Sequence, residues 1–287
     1  MGPLILKKIA KDKTQYSIRA IPIGGFVSLA GEEIDEEERK KTKGHNLQDK
    51  TVFQRFLVMF MGVGFNFVFA FILLFFTGLI FGAPSTEPVL NGVTPEYPAA
   101  VAGLQKGDKV LKINDHKISY LEDISLYLAI EDLSKPLEIE AQKPNGQIET
   151  YQVLPQKTKD ADGNEKYAIG IMLQADINKG FLPSIKYAFN EECAIFKQMF
   201  VVLGNLFTGE VKVSQLSGPV GIYSVVGQMS KQGVSALLCL TALLSINVGV
   251  INLLPFPAFD GGRILFLIIE KIKGSPVNPK VENTIHS

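Results

Sequence analysis

Asn252-Leu253-Leu254-Pro255-Phe256-Pro257-Ala258-Phe259-Asp260-Gly261-Gly262 is the stretch on which the reading of this chain turns. It closes a segment with no charged residue between Lys231 and Asp260. That run is long enough for a bilayer, which takes about 20 apolar residues. Pro255 and Pro257 each lack an amide donor and interrupt a helix. Gly261 and Gly262 then allow a sharp turn. Two readings of Asp260 stand side by side on the residues alone. An acid at a broken helix end inside a membrane is costly and marks a functional site. Equally, the same acid is a helix stop that faces water.

Working outward, the chain has a second uncharged block, Phe56 to Gly82, also of spanning length. Gly62 and Gly64 within it permit close approach of a neighbouring helix, and Asn66 seeks a hydrogen-bond partner there. Helix packing is the simpler role for Asn66. The apolar residues, 46% of the chain, are concentrated in these two blocks. The fold class expected is therefore a multi-pass α-helical membrane protein, in a lipid bilayer, carrying a soluble insert. The formal net charge is zero and no basic patch is interleaved with aromatics, which argues against nucleic acid as a partner. The two cysteines, Cys193 and Cys239, are far apart and do not suggest a disulfide framework. Met1 to Thr14 has an apolar run too short for a signal peptide.

The remaining segments take their character from local pattern. Residues 1–55 are polar and basic, with Thr14 to Leu29 expected as two short strands about a kinked turn. Glu32 to Lys43 reads as a solvated helix or loop. Residues 86–176 form a separate soluble domain. In it, Pro98 to Asp108 is a small-residue turn ending in a Lys-Gly-Asp corner, and Val110 to Ile113 is strand-like. Ser119 and Glu122 resemble a capping box for a helix bearing Leu121, Ile124 and Leu128. Pro144-Asn145-Gly146 predicts a hairpin between strands at 137–141 and 148–154. Asp160 to Lys166 is expected as a loop. Residues 181–222 read as an amphipathic membrane-surface segment, with Ser217 to Ile222 a compact turn. Residues 232–259 are the second span, and 260–287 follow it. Lys and Arg flank the membrane in both 1–55 and 260–287, so both lie in the cytoplasm and residues 86–176 lie outside it.

Histidines occur only at 45, 116 and 286, so the chain holds no His-Glu-x-x-His zinc helix. Each reads as a surface or loop residue rather than a metal ligand. No phosphate loop and no specific Ser-His-Asp set is present.

The pieces in order resemble the site-2 protease family of intramembrane zinc metalloproteases. The bacterial regulator-of-sigma-factor type with a single PDZ domain is the nearest form. Thr14-x-Tyr16-x-Ile18-Arg19-x-Ile21-Pro22-x-Gly24-Gly25-Phe26-Val27 resembles the family's membrane-associated β-hairpin. Gly62-x-x-x-Asn66-Phe67 resembles its small-xxx-Asn helix motif, and residues 98–118 resemble a bacterial PDZ domain. Ser217 to Ile222 resembles the segment before the third helix. Asn252 to Gly262 resembles Asn-x-x-Pro-x-Pro-x-Leu-Asp-Gly, with Phe259 for the usual Leu.

The resemblance implies an α+β PDZ-like insert, a membrane-associated β-hairpin and a zinc cofactor. Asp260 is then the third zinc ligand, and zinc would activate a water for peptide hydrolysis. Asn252, Pro255, Pro257 and Asn66 would help to hold an unwound transmembrane protein substrate. The hairpin at Gly24-Gly25 would receive it as an added strand. Ala102, Gly103 and Leu104 would belong to the PDZ peptide groove. Substrates would be single-pass proteins such as anti-sigma factors or signal-peptide remnants, cut in the bacterial inner membrane. The family's helix with two histidines and a catalytic glutamate is expected upstream of Met1, and a final helix after Ser287. The chain thus resembles the central part of such an enzyme and is expected to be inactive alone. The rival reading is a membrane-tethered PDZ scaffold without catalysis. A transporter fits less well, for want of an inverted repeat.

Overall fold

In the computed structural model, residues 3–11, 14–21, 46–159, 165–209, 219–256 and 259–274 are described. They fall into two compact units, residues 1–58 with 264–287, and residues 59–263.

The first unit holds an antiparallel ribbon of β1 (Leu4–Ile9) and β2 (Gln15–Arg19). Leu4, Ile5, Leu6, Ile9, Tyr16 and Ile18 are all exposed. Of the two strands expected in Thr14 to Leu29, β2 falls in the first part, and it pairs back onto the earlier Leu4–Ile9. Residues 22–29 lie outside the described residues, as do the Glu32 to Lys43 run, His45 and His286. The start of α1 (Val52–Phe81) is set by Thr51. The Gln54 amide donates to Thr51 Oγ1 and the Thr51 amide to Gln54 Oε1, a reciprocal cap. Arg55 pairs with Glu270 in the same unit.

The second unit combines helices with an α+β insert. α1 ends at Gly82, whose φ of 97° suits glycine. β3 (Ala83–Pro84) pairs with β12 (Ile177–Asn178) and closes the neck of the insert. Inside, β5 (Lys109–Ile113) and β7 (Leu137–Gln142) are the central strands of a sheet ordered β6-β5-β7-β8. β6 is His116–Lys117 and β8 is Ile148–Val153. The β7–β8 hairpin turns at Gly146, where φ is 88°. Two short pairs complete it: β4 (Gly92–Val93) with β11 (Ile171–Met172), and β9 (Gln156–Lys159) with β10 (Glu165–Ala168). The β9–β10 hairpin draws residues 165 and 166 out of the loop expected at 160–166, because their backbone groups pair with Lys159 and Thr158. The short α2 (Pro98–Ala102) and α3 (Leu121–Ile130) cover the sheet. Leu90, Leu104, Ile113, Ile124, Leu137, Ile139 and Val153 fill the core between them. Asp123, not Glu122, caps α3. Tyr120 is extended at φ −127°, ψ 157°, and that places the amides of Ser119 and Tyr120 against the Asp123 carboxylate.

After the insert comes α4 (Phe181–Thr208), one unbroken helix. α5 (Pro219–Gln232) and α6 (Val234–Leu253) form a hairpin about Gly233, at φ 104°. Pro219 opens α5, so 219–222 is the first helical turn rather than the compact turn expected; proline at a helix start forfeits no bond. α6 ends at Leu253, earlier than the 259 expected for the second span, and α7 (Asp260–Lys273) begins after the proline segment. Ala70 and Leu74 of α1, Tyr187, Ala188 and Ile195 of α4, and Ala242, Ile246 and Val250 of α6 share one apolar core. Gly249 makes the α1–α6 contact possible. A Cβ there would lie 2.7 Å from the Phe67 ring.

α1 and α6 are long and apolar enough to cross a membrane, yet only 17% and 22% of their most apolar windows are buried. A helix apolar all round is either buried in a large core or faces lipid. The low burial favours lipid.

Candidate metal and substrate site

Asp260 occupies the first turn of α7 and is half-buried. A carboxylate is favoured there by the positive end of the helix dipole. Gly261 fixes the turn. A Cβ on it would lie 2.2 Å from the Leu253 carbonyl oxygen and 2.4 Å from that of Leu254. The start of α7 is thereby folded tightly against the end of α6, and only glycine allows it. Between them, the Leu254 amide bonds to the Ile251 carbonyl at 3.0 Å, and the Gly262 amide to the Phe259 carbonyl at 3.1 Å. Pro255 is exposed and Asn252 lies half-buried on the last turn of α6. Pro257 lies outside the described residues.

The Asp260 carboxylate faces α1. Its Oδ2 is 3.8 Å from where a Cβ of Gly62 would stand. Asn66 lies one turn further along, on the same face. Its side-chain amide donates to the Gly62 carbonyl at 3.3 Å, and its own carbonyl accepts the Ser245 hydroxyl of α6 at 2.9 Å. Asn66 therefore sits at the α1–α6 crossing. The structure brings Asp260 beside Gly62, and Asn66 bonds both to Gly62 and to Ser245 of α6, while Asn252 lies on the last turn of α6. Gly24 and Gly25 lie outside the described residues.

Catalytic zinc takes about three protein ligands. Among the described residues no group of three His, Cys, Asp or Glu side chains converges. His116 instead stacks on Tyr127, ring centres 4.3 Å apart, and pairs with Glu131. Asp260 has the chemistry and the placement of one hard oxygen ligand. The donor set among the described residues is short of a complete site.

The residues expected in a peptide groove are placed differently. Gly103 caps α2 at φ 103°, and Leu104 is buried in the insert core. The Gly103 carbonyl accepts Lys143 Nζ at 3.1 Å, and the same Nζ bonds the buried Asp108 at 2.9 Å. This cluster is structural. A groove of about 410 Å³ opens elsewhere, between α3 (Ser125, Leu128, Ala129) and the strand residues 167–171. Its turn needs Gly170, at φ 80°, where a Cβ would stand 2.1 Å from Tyr97 Cβ. Sequence reasoning missed this wall. The signal was an isolated glycine inside the strand pattern Tyr167-Ala168-Ile169-Gly170-Ile171, which marks close backbone approach.

Charge also gathers where α4 meets the insert. Burial, then the like charge of Glu122, raises Glu191 from 4.5 to about 7. Glu122 is raised as well, first by burial.

Comparison with known proteins places these features. The family description "Peptidase family M50" matches residues 1–287. A Fusobacterium nucleatum relative is 38% identical across 100% of this chain and 82% of its own length. The zinc metalloprotease RasP of Bacillus licheniformis is 38% identical, over 98% of this chain and 84% of its own. The regulator of sigma-W protease RasP of Bacillus subtilis is 37% identical over 90% of this chain and 59% of its own. Among solved structures, the PDZ domain of an SdrC-like protein of Listeria monocytogenes is similar to 29% of the chain and 83% of that domain. Its identity is 19% and its TM-score 0.25. Matched from first residue to last by one peptidase family and 38% identical to relatives along nearly its whole length, the chain belongs to peptidase family M50, the site-2 protease family of zinc metalloproteases.

Proposed function

We propose that this chain forms the membrane core of an endopeptidase that cuts the transmembrane segments of single-pass proteins in the bacterial inner membrane. Asp260 serves as a zinc ligand, its carboxylate turned toward Gly62 of α1. Asn252, Pro255 and Pro257 steady the unwound substrate, the glycines at 24 and 25 belong to the hairpin that receives it as an added strand, and Asn66 ties α1 to α6. The insert acts as a PDZ-like domain on the extracytoplasmic side, admitting substrates by size or by an exposed C-terminus. The Bacillus subtilis relative is named for regulating sigma-W. Anti-sigma factors and signal-peptide remnants are therefore the substrate class proposed here.

The observation that carries this reading is the Asp260 carboxylate, turned toward a glycine of a span-length helix. An acid in that setting is functional far more often than structural. The test is Asp260→Ala in the full-length enzyme. Cleavage of a membrane substrate should fall by at least about a hundredfold, with zinc content reduced in parallel. Retained cleavage with normal zinc would remove Asp260 from the ligand set.

The 410 Å³ groove favours a second reading, a peptide-binding scaffold. A scaffold would keep its cellular effect in Asp260→Ala, and the protease would not.

A further inference from the structure

Lys197, in the second half of α4, reaches into the insert rather than into solvent. Its Nζ donates to Asp123 Oδ2 at 2.6 Å and to the Lys117 carbonyl at 3.0 Å. It also lies 5.6 Å from the centre of the Tyr127 ring, a cation–π distance. Asp123 is completely buried, with a side-chain exposure of 0%. Its Oδ2 additionally accepts the amides of Ser119 and Tyr120, at 2.8 and 3.0 Å. Oδ1 is buried with no hydrogen-bond partner among the described residues. Lys197 is the cation that balances this acid.

Other ties cross the same seam and are weaker. Lys186 meets Glu87 at 3.0 Å, but both side chains are substantially exposed. Exposed pairs contribute little. Asn190 Nδ2 donates to Thr86 Oγ1 at 3.0 Å, a neutral bond. Among the described residues, Lys197–Asp123 is the ion pair of this seam whose acid is fully buried. Removing one partner of a buried pair leaves the other charge poorly compensated. Here the strain is relieved if the insert swings off α4 and water reaches Asp123. α3, which carries Asp123, also carries groove residues Ser125, Leu128 and Ala129. α4, which carries Lys197, packs on α6 through Tyr187, Ala188 and Ile195. The Lys197–Asp123 bond is thus the buried charged tie between the insert and the helix pack that leads to Asp260.

We propose that Lys197 is a positioning residue for substrate selection: its bond to Asp123 holds the insert on α4 in one orientation and so sets the largest extracytoplasmic portion a substrate carries and is still cut. This rests on the reading of the insert as a size filter. Lys197 touches neither substrate nor metal.

The experiment uses the full-length enzyme in membranes and two readouts. The first is the ratio of cleavage between one substrate with a long and one with a short extracytoplasmic portion, which cancels differences in enzyme level. The second is the rate of disulfide formation in a Thr86→Cys, Asn190→Cys pair, with Cys193 and Cys239 replaced by alanine. Lys197→Met should raise the long-to-short ratio about tenfold and slow cross-linking several-fold. Lys197→Arg, which keeps the cation, should restore both. Unchanged cross-linking in Lys197→Met would overturn the proposal, as would slower cross-linking with an unchanged ratio. A version with residues 86–176 replaced by a Gly-Ser linker separates the two ideas. If that linker raises the ratio and Lys197→Met does not, the clamp fails and the filter stands. If the linker leaves the ratio unchanged, the filter itself fails and the clamp falls with it.

Discussion

Gly261 shows how a single missing methyl group places Asp260, the proposed zinc ligand. A Cβ at this position would meet backbone carbonyls, not flexible side chains. Backbone cannot give way cheaply, so Gly261→Ala should destabilise the α6–α7 turn by on the order of 2–3 kcal/mol. The turn positions Asp260, so zinc content should fall with it. The check is zinc per protein by elemental analysis, beside the circular dichroism of the purified variant. Normal zinc with normal helix content would show that the turn tolerates the methyl group. The nearby Gly62 differs. A Cβ there would sit 3.8 Å from Asp260 Oδ2, an ordinary contact, so alanine should be accepted at that position. The sequence suggested a sharp turn at glycines 261 and 262, but both lie in the first turn of α7, and it is close approach to the Leu253 and Leu254 carbonyls that requires Gly261. Which of them is irreplaceable depends on carbonyls brought in by α6.

Among the helices, α4 departs most from its sequence pattern. Read alone, its interrupted apolar face suggests a helix lying on a membrane surface. In the structure one face enters the shared core with α1 and α6, and another grips the insert. Of the charged residues that break the apolar run, Lys197 pairs with the buried Asp123, Lys186 meets Glu87 from an exposed position, and Glu191 is half-buried. Glu191 illustrates the cost. Burial, then the neighbouring Glu122, raises it from 4.5 to about 7. Tyr187 of the same helix and Cys239 of α6 also face it. The folded value is raised, so its contribution to stability is complete below pH 4.5 and is lost as pH rises through about 7. The melting temperature of the purified protein should therefore rise as pH is lowered through this window. In Glu191→Gln that component of the rise should disappear, a difference of several degrees at about 2–4 °C per kcal/mol. Parallel pH profiles for the two proteins would mean that Glu191 titrates as an exposed acid.

At the scale of the molecule, exposed apolar surface is the dominant feature. Phe65, Phe69, Phe76 and Ile80 of α1 and Val234 and Val248 of α6 face outward. Each described unit carries such surface, since Leu6, Tyr16 and Ile18 of the β1–β2 ribbon are exposed as well. The proposed orientation puts the insert outside the cytoplasm. Ser125, exposed on α3 beside the groove, offers a label site. With Cys193 and Cys239 replaced by alanine, Ser125→Cys should react in intact cells with a membrane-impermeant maleimide. Labelling only after the membrane is permeabilised would reverse the orientation.

Much of this protein was written in local pattern. Uncharged runs of spanning length, the Pro144-Asn145-Gly146 hairpin and the Asn252 to Gly262 motif follow from residue type and spacing, because hydropathy, proline and glycine act within a few residues. On spacing alone the acid of the motif had two readings, and its role as a zinc ligand is what the family resemblance implies; the match along the whole chain carried the family. Only the tertiary structure decided which residues meet. It turned Asp260 toward Gly62, sent Leu104 into the core and built the groove wall from residues 167–171. It also chose Asp123 over Glu122 as the cap of α3 and joined it to Lys197 across 74 positions of chain. The physical reason is range. Chain-local signals set helices, turns and strands, whereas a buried charge is satisfied only by whichever distant partner the packed fold delivers to it.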